Sequence, residues 1–218
     1  FVFPGQGSQA VGMGRALAEE FGEARAVFAA VDDALDQKLS QLMWDGPESE
    51  LTLTENAQPA LMAVSMAVVT VLAENGVKLS ENAAYVAGHS LGEYSALTAS
   101  GALELDDASR LLKLRGQAMQ RAVPVGVGAM AALLGLDFEA VVEVAEEAGQ
   151  GEEICAAAND NAVGQVVVSG HAAAVARAID LAKERGAKRA VELPVSAPFH
   201  CSLMQPAADE MRAALAES

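Results

Sequence analysis

Basic residues are scarce in this chain: 14 lysines and arginines stand against 30 aspartates and glutamates, for a formal charge of -16. Nucleic acid recognition needs concentrated positive charge, so this balance argues against it and against anionic membranes. Cysteine is scarcer. Cys155 and Cys201 are the only two; they match no zinc spacing, and one disulfide would be unusual in a cytosolic enzyme, so both read as buried free thiols. Long apolar runs are missing as well. The longest, from Pro59 to Ala73, is broken by Ser65 and Thr70 and falls short of the roughly 18 residues a membrane span needs. The chain opens on Phe1, without an initiator methionine and without a basic region before an apolar one. The expectation is a trimmed or partial chain in a cytoplasmic setting, with no signal peptide.

What is present is apolar. At 218 residues and 52% apolar composition, the chain suits one large domain or two small ones with a sizeable core. Phe1 to Phe3 reads as a short strand, residues 4–8 as a Gly-rich turn, and residues 13–31 as a helix by apolar spacing. Thr54, Glu55 and Asn56 can start a long helix to Glu74, closed by Asn75-Gly76. Residues 83–87 read as a strand and 91–100 as a helix. A further helix from Asp106 to Val123 carries acidic residues where the dipole favours them and ends at Pro124. Beyond it, strands at 129–136, 154–158, 165–169 and 190–195 interleave with helices at 137–148 and 172–185. This is the β-α-β-β-α-β order of ferredoxin-like folds, with residues 159–164 as its inner hairpin connection. A last helix spans 203–215.

The chemistry concentrates at Gly88-His89-Ser90-Leu91-Gly92. G-x-S-x-G between a strand and a helix is a nucleophile elbow: the flanking glycines permit a sharp turn that lifts the serine into solvent. A serine hydroxyl needs a base. Of the three histidines, His89 is adjacent to Ser90 and diverges from it, His171 ends a strand and is expected to face solvent, and His200 follows in the serine-before-histidine order of elbow hydrolases. His200 is therefore the best base. Asp209 is a poor candidate to orient it, so a dyad is expected, with a main-chain carbonyl as the alternative support. Acyl transfer also needs two amide donors for the oxyanion. Leu91 follows the nucleophile at a helix start, and Gln6 lies in a second strand-to-helix loop; the G-x-G of that loop lacks the rest of a dinucleotide fingerprint. The same residues would serve a thioesterase or esterase. Arg115, by spacing alone, is a helix-surface residue.

Together FPGQGSQ, ENAQPAL, GHSLGE, LRGQAMQ, GQVVVSG and SAPFH resemble the malonyl-CoA:acyl carrier protein transacylases of type II fatty acid synthesis, and the acyltransferase domains of fatty acid and polyketide synthases share much of this set. The resemblance spans essentially the whole chain. It implies an α/β fold: an α/β-hydrolase-like core with a parallel sheet and the elbow, formed by residues 1–124 and 195–218, and an inserted ferredoxin-like subdomain at 125–194. It implies Ser90 as the acylated nucleophile, His200 as base, and Gln6 and Leu91 as oxyanion amides. It also assigns Arg115 to the free carboxylate of the malonyl group, a match for a planar, always charged fork. Asn159 and Gln165 lie near the family's pocket wall.

No metal or cofactor is implied, since the CoA thioester is substrate. The expected partners are malonyl-CoA and acyl carrier protein, engaged by a monomer. Because the carrier is acidic in these families, Lys183, Arg185, Lys188 and Arg189 form the expected docking patch. The C-terminal stretch that orients the histidine in the family is absent from the 218 residues, so a chain shortened at that end, with reduced stability, is expected. A carrier-binding module without catalysis is the remaining alternative.

Overall fold

Helical spacing of apolar side chains builds the first of two units. The computed structural model describes residues 1–195 and 197–217; Ser196, the first residue of SAPFH, and Ser218 lie outside the described residues. Residues 1–117 with 213–218 form the first unit and residues 118–212 the second. In chain order the first contains β1 (Val2–Phe3), α1 (Arg15–Glu20), α2 (Gly22–Leu35), α3 (Leu39–Asp45), α4 (Glu48–Leu51), α5 (Thr54–Glu74), α6 (Leu79–Asn82), β2 (Ala87–Gly88), α7 (Gly92–Ala99) and most of α8 (Leu105–Ala122). Ala24, Val27, Phe28 and Val31 make the buried stripe of α2, at the i, i+3, i+4, i+7 positions that share one helix face. They pack with Leu39 and Met43 of α3, Leu51 of α4, and Ala60 to Ala63 of α5. Each fully buried large side chain in this cluster contributes about 1.5–3 kcal/mol.

Several boundaries differ from the sequence expectation for identifiable reasons. The single helix expected over 13–31 is split, because Phe21 adopts extended backbone between α1 and α2. The Arg25 side chain of α2 donates to the carbonyls of Ala18 and Glu19 at 3.0 and 3.3 Å, satisfying the open end of α1. The strand expected at 83–87 is only Ala87–Gly88, paired in parallel with Val2–Phe3. Among the described residues β1 is its only partner, and an unpaired backbone stretch cannot extend a ladder. Helix α5 is long and apolar enough to cross a membrane by length and composition. Its N-terminal half, from Asn56 to Ala63, is buried in the first unit, so it is a core helix.

The second unit holds β3 (Gly128–Leu134), α9 (Phe138–Ala148), β4 (Cys155–Ala162), β5 (Gln165–His171), α10 (Ala172–Glu184), β6 (Arg189–Glu192), a 3-10 turn at Ser202–Met204 and most of α11 (Gln205–Leu215). The sheet runs β4-β5-β3-β6 with antiparallel neighbours throughout, and the β-α-β-β-α-β order is as expected. Alternation along the strands sorts side chains to two faces. Ala129, Ala131, Leu133, Val166 and Val168 meet α9 and α10; Met130 and Val167 meet Ala118, Met119, Ala197, Phe199, Met204 and Ala207. That second layer is why residues 197–212 group with the sheet, whereas the sequence expectation returned everything after 194 to the large unit. The expected six-residue hairpin connection also shrinks. β4 continues through Asn159 and Asp160 to Ala162, with register shifts on the way, and only Val163-Gly164 turn, Gly164 at φ 72°.

Both cysteines are free and half-buried, less enclosed than expected. Burial, reinforced by Cys201, pushes the Cys155 thiol up to about 11, against the Ala156 amide and Arg177. At pH 8 about one Cys155 in a thousand is then thiolate, the reactive form. Iodoacetamide should leave Cys155 essentially unmodified at pH 8 and label it only above about pH 10, as followed by peptide mass mapping; rapid labelling at pH 8 would contradict the assignment.

Candidate active site

Ser90 has φ 54°, one of three non-glycine residues with positive φ among those described. This left-handed conformation costs energy for a residue with a Cβ and persists only where packing enforces it. Here the enforcement is steric. A Cβ on Gly88 would fall 1.9 Å from the Gly92 carbonyl carbon, and one on Gly92 would fall 2.4 Å from the Phe3 carbonyl oxygen and 2.8 Å from that of Pro4. The backbone therefore crosses itself where only glycine fits, with Ser90 at the apex between β2 and α7. Two main-chain bonds hold the crossing, His89 N–H to Phe3 O at 3.1 Å and Gly92 N–H to His89 O at 3.0 Å.

The Gly-rich turn after β1 lies against this elbow. A Cβ on Gly5 would sit 2.4 Å from His89 Nδ1 and 2.9 Å from the His89 carbonyl oxygen, which brings the Gln6 loop beside the residue preceding Ser90. The loop braces itself: Ser8 Oγ donates to Gly5 O and Gly7 N–H donates to Gln9 Oε1, both at 2.8 Å. Among the described residues neither the Gln6 nor the Leu91 main-chain N–H has an acceptor. Two open donors flanking a raised serine are what a developing oxyanion requires.

Arg115 reaches the same point from α8. Its Nη2 donates to Ser90 Oγ at 3.0 Å, its Nη1 to Gln58 Oε1 at 2.6 Å, and its guanidinium carbon lies 5.8 Å from the centre of the Tyr94 ring. Arg115 is not the helix-surface residue that spacing alone indicates. Burial pulls its pKa below the ordinary value, with Tyr94 and Glu93 opposing; burial likewise raises the pKa of the Tyr94 phenol. Among the described residues no carboxylate forms an ion pair with Arg115, whereas Lys113, two positions earlier, pairs with Glu55 at 3.3 Å. A desolvated cation without a counter-ion favours any ligand that brings a carboxylate.

In the second unit His200 follows the buried run Ala197-Pro198-Phe199 and is itself exposed, at φ 61°. Pro198 anchors the run against Gly128, where a Cβ would lie 2.3 Å from the Pro198 ring. Asp209 bonds to Gln205 and Arg212 along α11, at 2.8 and 2.7 Å. His171 is half-buried, and its Nδ1 accepts the Ile154 N–H at 3.0 Å; the solvent-facing expectation is corrected. Of the basic cluster, Lys183 pairs with Asp180 and Arg185 with Glu143 and Glu147. Lys188 and Arg189 are exposed and have no ion pair among the described residues. No cluster of His, Cys, Asp or Glu able to hold a metal ion occurs among the described residues.

Sequence reasoning did not single out Thr54, Gln58 or Tyr94 as parts of this site. The available signal was Gln58 itself, an amide inside the apolar run of α5 that burial obliges to find partners.

Residues 1–218 match the family model described as acyl transferase domain. The chain belongs to that family. It is 49% identical to the malonyl CoA-acyl carrier protein transacylase of Bacillus subtilis over 215 residues, covering 99% of this chain and 67% of that protein. The acyl-carrier-protein-S-malonyltransferase from Bartonella henselae superposes with a TM-score of 0.96 at 58% identity, covering 99% of this chain and 68% of that one. A malonyl-transacylase in complex with its type II PKS acyl-carrier protein superposes with a TM-score of 0.94 at 47% identity, over 99% and 69%. The chain thus spans about two thirds of the length of these relatives.

The elbow geometry predicts the behaviour of Gly92→Ala. A methyl 2.4 Å from a backbone oxygen cannot be relieved by a side-chain shift, so the variant should lose roughly 3 kcal/mol of stability in urea denaturation. Ser90 labelling by a fluorophosphonate should fall with it. Wild-type stability and labelling in the variant would refute the steric account.

Proposed function

We propose that this acyltransferase moves a malonyl group from malonyl-CoA to the phosphopantetheine thiol of acyl carrier protein, in type II fatty acid synthesis. The observation that carries this reading is the contact of Arg115, half-buried and without a counter-ion among the described residues, with Ser90 Oγ at 3.0 Å. An acyl group on that oxygen whose far end is a carboxylate two bonds from its carbonyl meets the guanidinium directly. The relatives described above are malonyl transacylases, which supports the same substrate.

In the first half-reaction His200 takes the Ser90 hydroxyl proton as Oγ attacks the thioester carbonyl. The tetrahedral oxyanion accepts the Gln6 and Leu91 main-chain N–H groups. The C–S bond then breaks, and His200 returns its proton to the departing CoA sulfur. The carrier-protein thiol repeats these steps on the malonyl-serine ester and leaves Ser90 free. Arg115 discriminates because an acetyl group would leave its buried charge unanswered. On this reading residues 1–124 with 195–218 are the catalytic subdomain, an α/β-hydrolase-like core supported by the parallel β1–β2 pair ending in the elbow, and 125–194 is the insert, on whose sheet residues 197–212 pack. The enzyme works as a monomer in the cytoplasm and needs no cofactor. For carrier docking the patch narrows to Lys188 and Arg189, because their neighbours Lys183 and Arg185 are already paired with acids.

Mixing the protein with malonyl-CoA should yield a stable malonyl adduct on Ser90 by intact mass spectrometry. Arg115→Ala should reduce the malonyl-to-acetyl loading ratio by about 10–100-fold, the worth of one charged hydrogen-bonding partner. Continuous CoA release without an acceptor would mark a thioesterase instead, and no reaction a carrier-binding module. Reversing the charge of Lys188 and Arg189 together should raise the carrier-protein KM several-fold, roughly the effect of rim charges, and leave acylation by malonyl-CoA unchanged. Equal effects on both half-reactions would remove the patch.

A further inference from the structure

The polar side chains behind Ser90 join into one directed series. Arg115 donates through Nη2 to Ser90 Oγ and through Nη1 to Gln58 Oε1; Gln58 Nε2 donates to Thr54 Oγ1 at 2.8 Å; Thr54 Oγ1 donates to Gln6 Oε1 at 2.9 Å. A guanidinium can only donate, and a hydroxyl has a single proton. Those two facts set the direction. Arg115 obliges Gln58 to turn its carbonyl oxygen toward α8, which sends the Gln58 amino group to Thr54. Thr54 Oγ1 accepts from that amino group and spends its single proton on the Gln6 carbonyl oxygen. Gln6 is then held with its amino group as the outer end of the series.

The middle of the series is dry. Thr54 and Gln58 are 2% and 1% exposed, and they stand one turn apart on the same face of α5. Thr54 opens that helix, yet its hydroxyl does not cap it. No side-chain cap bond exists at the helix start, and the hydroxyl is committed to Gln6 and Gln58.

We propose that Thr54 is a positioning residue: through Gln58 it holds Arg115 on Ser90, and through Gln6 it holds the side chain of the oxyanion loop. One buried hydroxyl thereby registers the acid-recognising cation against the loop that stabilises the oxyanion. Its kinetic consequence rests on the malonyl-transfer reading, and its structural consequence does not.

Thr54→Val keeps the side-chain shape and removes both bonds, whereas Thr54→Ser keeps the hydroxyl. In Thr54→Val the malonyl-to-acetyl loading ratio should fall about tenfold, with KM for malonyl-CoA rising more than kcat falls, since a ground-state contact is loosened. Thr54→Ser should restore the ratio to within about twofold, because only the hydroxyl carries the effect. Independently of activity, the Arg115 Nη proton resonances should be resolved and slow to average in the parent and should average rapidly in Thr54→Val. If Thr54→Val does not fold, Gln58→Met breaks the series at its next link and should give the same losses. The proposal is overturned if the ratio and the Arg115 resonances are unchanged in either folded variant, or if Thr54→Ser is as impaired as Thr54→Val. A parent protein that takes up no malonyl group sinks the functional reading, and the Arg115 resonances alone then decide the role of Thr54.

Discussion

The backbone crossing at Gly88 and Gly92 is the constraint on which the site depends. With a carbonyl carbon standing 1.9 Å from where a Gly88 Cβ would be, the chain can pass only as glycine, and Ser90 is left in a conformation that an isolated strand-to-helix turn would not hold. The same crossing sets β1 and its following loop against the elbow, since the surfaces that exclude a Cβ on Gly92 are the Phe3 and Pro4 carbonyls. One steric contact therefore positions Ser90, the Leu91 amide and the approach of the Gln6 loop together. Sharing a cause makes their mutual geometry insensitive to motion elsewhere.

On the proposed reading, electrostatics gives this generic acyl-transfer site its selectivity. The chain carries a large excess of acidic groups, and most of its surface cations are paired with them. Arg115 is treated differently: it is desolvated, stacked near Tyr94 and held by neutral oxygens of Gln58 and Ser90. Neutral acceptors orient a guanidinium without discharging it, so its attraction for an incoming carboxylate is retained. A net negative protein can in this way receive an anionic acyl group without a basic surface.

Much of this was legible in the residue order. The elbow, the Gly-rich loop before the first long helix, the β-α-β-β-α-β order and the identity of Ser90 and His200 as candidates all follow from local patterns, because turns, caps and strand alternation are short-range physics. The failures are equally physical. The split at Phe21 depends on Arg25 reaching back to α1. The short β2 depends on how much partner strand is available. Residues 197–212 join the sheet unit because their apolar side chains cover the face that α9 and α10 leave open. None of these is encoded within a window of a few residues.

By itself the sequence determined the chemical parts: a serine between glycines, a histidine after a buried proline loop, an amide inside an apolar helix and an arginine on a later one. The tertiary structure alone decided that Gln6, Thr54, Gln58, Ser90 and Arg115 share one hydrogen-bonded series. The reason is distance along the chain. Contacts such as Thr54 to Gln6 and Arg115 to Ser90 join residues 48 and 25 positions apart, and only tertiary packing brings α5 within a hydrogen bond of the Gln6 loop and α8 within one of the elbow.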